Sequence, residues 1–204
     1  MQVRRYQQID RAAVRTIAAD SADAGRPVEH IFPDRELFID LITRYYTDFE
    51  PGSAWVAVVG DRVVGYLTGC LHPSHRARVM ALRIAPAAIP RVMCSARVLC
   101  YVFRNLPTWT RSLFRRGPDW PKPVAHLHIN VLDGHRGANA GGELMAAFLE
   151  QARTAGMKSI RVSTRADNLK ACRFFDKHGF VAVDKKPLFR SATVACARIY
   201  AKYL

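Results

Sequence analysis

A chain of 204 residues, half of them hydrophobic and without a low-complexity segment, is long enough to bury one core of ordinary size. That composition excludes general disorder. The five cysteines (Cys70, Cys94, Cys100, Cys172, Cys196) include no CxxC pair and are odd in number, which speaks against a disulfide framework or a zinc site. Free or buried thiols in a reducing cytoplasm are expected instead, and no metal is expected. The net charge is +14, and no acidic residue stands between Asp61 and Asp119 while arginines recur from Arg62 to Arg116. An acidic partner such as nucleic acid, anionic lipid or an acidic substrate, a polyanionic cofactor, and a plain basic face all fit this stretch. The absence of any nucleic-acid motif favours the plain face.

In chain order, Val3–Tyr6 is a short strand. Asp10 caps a helix with Ala13, Val14, Ile17 and Ala18 on its apolar positions, and Asp34 caps a second that carries Leu37, Phe38, Leu41, Ile42, Tyr45 and Tyr46. Pro51-Gly52 closes the second helix. Ser53–Val59 and Arg62–Cys70 form a hairpin across Gly60-Asp61, a pair that tolerates positive φ. Ala81–Ala85 reads as an extension of an edge strand. Pro90 suits the first turn of a helix over Val92, Met93, Ala96, Leu99, Cys100 and Phe103 that Pro107 ends, with a further short helix over Thr108–Arg116. Segment 85–122 reads as a helical insertion within a single domain, 1–204. Its apolar part, 84–103, contains Pro86, Pro90, Arg91 and Arg97 and is a poor membrane span. The start, Met1–Tyr6, leads into no apolar run, so no secretory signal is expected.

From Val124 the pattern sharpens. Val124–Leu132 is a strand, Asp133–Gly141 a glycine-rich loop, Gly142–Ala155 a helix ended by Gly156, and Ser159–Ser163 a buried strand. Asn168 caps a helix through Lys177 that Gly179 ends, and Phe180–Val183 and Ala192–Tyr203 are final strands. This order implies a mixed α/β sheet. The loop His135-Arg136-Gly137-Ala138-Asn139-Ala140-Gly141-Gly142 lies between strand and helix. Its small residues let backbone amides approach a ligand beside the positive end of the helix, where a pyrophosphate fits. It is neither a Walker loop nor a GxGxxG fingerprint.

Here the chain resembles the GNAT N-acetyltransferase superfamily. Arg136, Gly137, Ala138, Asn139, Ala140 and Gly141 align with that family's [RQ]xxGx[GA] loop, with Asn139 in place of the usual middle glycine. Asn tolerates the left-handed conformation better than most residues. Asn168, Ala171, Phe174, Phe175, Gly179 and Phe180 match a second signature: N-x-x-A, an aromatic pair, then G-F. The resemblance covers residues 124–183. It implies a GNAT-like, mostly antiparallel mixed sheet flanked by helices, acetyl-CoA as co-substrate, and acetyl transfer to an amine of a small molecule or protein. In that reading Ile129, Asn130 and Val131 hydrogen-bond the pantetheine arm as an added strand, and Arg136 to Gly142 (Arg136, Gly137, Ala138, Asn139, Ala140, Gly141, Gly142) hold the pyrophosphate. Asn168, Ala171 and Phe174 or Phe175 line the thioester end. A monomer and a homodimer both fit.

His126, His128 and Asn130 share one face of their strand. The family's base is often on this strand, so His128 or His126 is the candidate general base. The tyrosine that often serves as acid falls at Phe175, which has no hydroxyl. Cys172, His178 and Tyr200 are substitutes to consider, as is a thiolate that leaves without a protein proton. A non-catalytic acyl-CoA-binding module is the alternative, and a basic nucleic-acid or anionic-surface binder a third.

Overall fold

The computed structural model describes residues 1–113, 120–188 and 195–204, without the side chains of a few of them, Arg136, Gly137 and Ala138 among these. Seven strands form one sheet in the order β1-β2-β3-β4-β5-β7-β6: β1 Gln2–Arg5, β2 Ala54–Val59, β3 Arg62–Cys70, β4 Val124–Val131, β5 Ser159–Arg165, β6 Val181–Leu188 and β7 Ala195–Tyr203. All neighbouring pairs are antiparallel except β4 with β5, which is parallel. The mixed, mostly antiparallel sheet expected from the sequence is thus present.

Helices cover both faces. On one, α6 (Ala140–Thr154) buries Leu144, Met145, Phe148, Leu149 and Ala152, the stripe read from helical spacing. With α7 (Leu169–Lys177) it closes a core containing Leu67, Leu127, Ile160, Phe175 and Tyr200. Gly69 of β3 lies directly beneath Phe148, and a Cβ there would overlap the ring. That glycine lets the helix settle onto the sheet. On the other face, α1 (Arg11–Asp20) and α2 (Arg35–Arg44) pack over Val56, Val63 and Tyr66. Asp34 caps α2 as expected, accepting from the Leu37 N–H at 2.9 Å. Asp10 does not cap α1 with its side chain; Arg4 and the Gln7 N–H claim both carboxylate oxygens.

The helix after Asp34 continues past Arg44 through a widened π-turn, Tyr45–Phe49, in which the Glu50 N–H reaches back to the Tyr45 carbonyl at 3.0 Å. A small third core joins Tyr45 and Tyr46 to Cys70, Val79 and Ile84.

Between β3 and β4 runs a helical arm: α3 (Pro73–Val79), a π-turn (Met80–Ile84), α4 (Ala85–Met93) and α5 (Ala96–Leu113). The arm bends by 117° between Met93 and Ala96. Three expectations change here. Ala81–Ala85 is helical, not a strand extension, because both sides of β3 are already paired, by β2 and β4. Pro90 lies inside α4 rather than in its first turn. Pro107 does not end α5 but sits within it, where it removes the N–H that would bond the Phe103 carbonyl. The short helix expected at Thr108–Arg116 is the end of α5 as far as Leu113, and 114–116 lie outside the described residues, as do 192–194 of the last strand. No single helix among the described residues is long and apolar enough to cross a membrane.

Candidate active site

The break in the sheet lies between β4 and β5. Val124, Ala125 and His126 pair with Ser159, Ile160 and Arg161, and the pairing stops there although both strands run on. On its other side β4 stays paired with β3 from His126 to Val131. Leu132 N–H donates to the Val64 carbonyl at 2.9 Å, which sets the alternation of the ladder. The backbone groups of His128 and Asn130 therefore face β3, and those of Leu127, Ile129 and Val131 face the gap. Of the three residues expected to meet an extended ligand by backbone, Ile129 and Val131 face this gap. Asn130 is turned to β3, and its side-chain amide donates to the Tyr66 hydroxyl at 2.9 Å.

Beyond β4 the chain makes a tight turn, Asp133–Ala138, and enters α6 through Asn139. Asn139 has φ +58°, a left-handed conformation that asparagine tolerates better than most residues. The first intrahelical bond runs from the Glu143 N–H to the Asn139 carbonyl, so the N–H groups of Ala140, Gly141 and Gly142 precede it. A Cβ on Gly142 would strike the Asn139 side chain, and one on Gly141 would press on the Phe174 ring at 3.1 Å with Val131 beyond it at 3.9 Å. Strand end, helix start and second motif thus meet at Val131, Gly141 and Phe174. The backbone of Arg136, Gly137 and Ala138 lies in this turn; their side chains are outside the described ones.

In the second motif, Asn168 caps α7, its Oδ1 accepting from the Ala171 N–H at 3.1 Å. Ala171 and Phe174 are half-buried against the α6 core. Phe175 is buried, its ring against Phe174, Phe180 and Tyr200. The possible acids are held elsewhere. Cys172 is buried, His178 pairs through Nδ1 with the Phe174 carbonyl at 2.7 Å, and the buried Tyr200 hydroxyl receives Arg198 at 3.3 Å.

His126 and His128 project from β4 toward α2 and α3, opposite Leu127, and the structure adds partners that sequence reasoning missed. Tyr46 comes from the π-turn after α2; its hydroxyl lies 2.6 Å from His126 Nε2. Its ring sits 5.8 Å from that of His126 and 5.7 Å from that of His128. Arg76 of α3 stands over the Tyr46 ring, 6.0 Å from its centroid. Burial, then repulsion from His128, Arg76 and Arg161, pushes the His126 pKa down to about 2. His128, crowded by protein atoms and repelled by Arg76, is lowered to about 4, but its side chain keeps an exposed face and solvent moderates the depression. Burial raises Tyr46 to about 12 against the opposing pull of Arg76. At neutral pH both imidazoles are uncharged and Tyr46 keeps its proton. The one signal for Tyr46 in the sequence was a hydroxyl-bearing ring at the end of an apolar helix stripe, where it was read as packing. Two grooves along α1 are lined by no histidine or tyrosine, and no cluster of metal-ligating side chains occurs among the described residues.

A parallel pair that opens beside a helix N-terminus, under helices on both faces, defines the GNAT acetyltransferase fold. The comparisons agree: residues 109–180 match the family model described as the acetyltransferase (GNAT) family. Among solved structures, that of SsHAT superposes with a TM-score of 0.77 at 24% identity, covering 99% of this chain and 97% of the other. A ribosomal-protein-alanine N-acetyltransferase from Brucella melitensis gives 0.61 at 15% identity with full coverage of both chains (100% and 100%). YncA, a putative acetyltransferase from Salmonella typhimurium seen with its cofactor acetyl-CoA, gives 0.59 at 14%, covering 100% of this chain and 93% of the other. No curated protein matches the chain.

Proposed function

We propose that this protein is an acetyl-CoA-dependent N-acetyltransferase. The opening between β4 and β5 beside the start of α6 carries the reading. Residues 139–142 suit a pyrophosphate: the left-handed Asn139 aims the chain, and Gly141 and Gly142 add no side chains of their own beside the first-turn N–H groups. Ile129 offers backbone N–H and C=O to an extended pantetheine arm, as an added strand would. A neutral amine attacks the thioester carbonyl; a C–N bond forms, the C–S bond breaks, and the amine proton passes to His128. The thiolate leaves and takes its proton from water, since Phe175 supplies none. His128 fits the role of base better than His126, because it is neutral, partly exposed and makes no hydrogen bond among the described residues, whereas His126 is engaged by Tyr46.

Titration calorimetry with acetyl-CoA tests the cofactor, and an absence of heat at roughly millimolar ligand overturns it. His128→Gln should then lower kcat about 10²- to 10⁴-fold, as loss of a general base does, while acetyl-CoA affinity stays unchanged. The buried, hydroxyl-free Phe175 favours a second reading, a non-catalytic acyl-CoA-binding module. Thiol release above background on any member of an amine panel removes it.

A further inference from the structure

The cluster around His126 contains a cation that no carboxylate of the described residues faces. Nε of Arg76 is buried and has no hydrogen-bond partner. The acid in this cluster is Glu50, and both its oxygens are taken: one accepts from the Ser53 hydroxyl and the Leu71 N–H, the other from the Tyr45 hydroxyl. Arg161, the cross-strand partner of His126, adds a second positive charge from the same side of the sheet. Several half-buried arginines elsewhere are paired with carboxylates. Arg4 meets Asp10, Arg15 meets Glu36 and Asp40, and Arg35 meets Asp20 and Glu29. Among the described residues, Arg76 Nε is the buried side-chain nitrogen left without a partner, and it lies where the acceptor of the proposed reaction would be. Withdrawing a guanidinium N–H from water with no acceptor is costly, and an anionic ligand would relieve that cost.

We propose that Arg76 is the specificity-determining residue of the acceptor site and that the acceptor is an amine carrying an oxyanion, a carboxylate or a phosphate. The side of the guanidinium that bears Nε–H can form two parallel hydrogen bonds to such a group. With Tyr46 filling the space between Arg76 and the histidines, the anion docks at Arg76 and the amine lies toward His128. This rests on the reading of β4 as the reacting edge, but the anion site itself can be tested without turnover.

The test follows the ring resonances of His126 and His128 by NMR during titration with acetate, with inorganic phosphate and with neutral acetamide. The two anions should give saturable shifts and acetamide none. Arg76→Gln should weaken the anion response roughly tenfold or more, and Arg76→Lys, which keeps charge but loses the fork, should lie between. In turnover, Arg76→Gln should raise KM for leucine or phosphoethanolamine selectively, sparing leucinamide and ethanolamine; a purely structural role would move all four. No saturable anion shift in the wild type, or one that persists in Arg76→Gln, overturns the proposal. Which anion binds more tightly distinguishes carboxylate from phosphate. Failure of acetyl-CoA to bind in calorimetry would overturn the cofactor reading and leave the anion result standing.

Discussion

The half of the chain from β4 to α7 and the arm from α3 to α5 both contain apolar helices, yet they use them differently. Helix α6 buries an unbroken stripe against the sheet, whereas α4 buries no residue at all, and Leu82, Ile89, Met93 and Phe103 of the arm stay exposed. Sequence spacing describes which residues share a helix face; it does not say whether anything waits there to cover it. The α6 stripe meets a complementary floor, with Gly69 cut away beneath Phe148. The arm meets the body through Val79 and Ile84, through Tyr101 against Phe32, and through the Arg91–Asp34 ion pair.

The largest expected contrast is in stability. Leu144→Ala should cost about 2–5 kcal/mol in denaturant unfolding, as buried leucines do. Leu82→Ala, on an exposed site of the arm, should change stability by about 0.5 kcal/mol or less. Similar losses at the two positions would break the comparison and mean that the arm is covered in solution.

A smaller effect comes from pH. His126 and His128 hold pKa values below the ordinary histidine value in the folded chain. Below about pH 6.5 the unfolded chain takes up protons that the folded one refuses, so the unfolded state gains and stability falls. Above that value both states are neutral at these positions and the contribution is constant. The melting temperature should therefore decline from pH 7 to pH 5, and His126→Gln should flatten the decline. An unchanged slope would show that acids elsewhere dominate it.

Smallest of all is the loop. Asn139→Gly should stabilise by about 1 kcal/mol or less, since glycine takes positive φ without strain, and should preserve acetyl-CoA affinity. Gly142→Ala should destabilise the native chain because its methyl meets the Asn139 amide, but should be tolerated in the Asn139→Gly background. A double-mutant cycle measures that coupling.

What was legible in the sequence was local. The loop at 135–142, the cap at Asn168 and the stripe of α6 are short-range patterns, and the sheet inferred from them is the one observed. The ladder direction of Asn130 was not legible, because it depends on pairing with a strand some sixty residues away (Tyr66). Tyr46, Arg76 and Glu50 were likewise invisible as a group: Tyr46 and Glu50 come from the π-turn after α2 and Arg76 from α3, beyond the β2–β3 hairpin, and only tertiary packing brings the two segments together. Pro90 and Pro107 misled because a proline is read as a helix start or stop, whereas both lie inside helices of the arm.

The π-turn at Tyr45–Phe49 has a further consequence for how this chain can vary. A turn with one residue more than its neighbours is an insertion absorbed without a loop, and every side chain after it leaves the helix about 100° away from where it otherwise would. The direction of Glu50, and with it the contacts of its carboxylate to Tyr45, Ser53 and Leu71, is therefore tied to chain length as well as to residue type. Removing Thr47 or Asp48 would keep Tyr45, Tyr46 and Glu50 in the sequence and still swing that carboxylate away from Tyr45, a change that composition alone would not reveal.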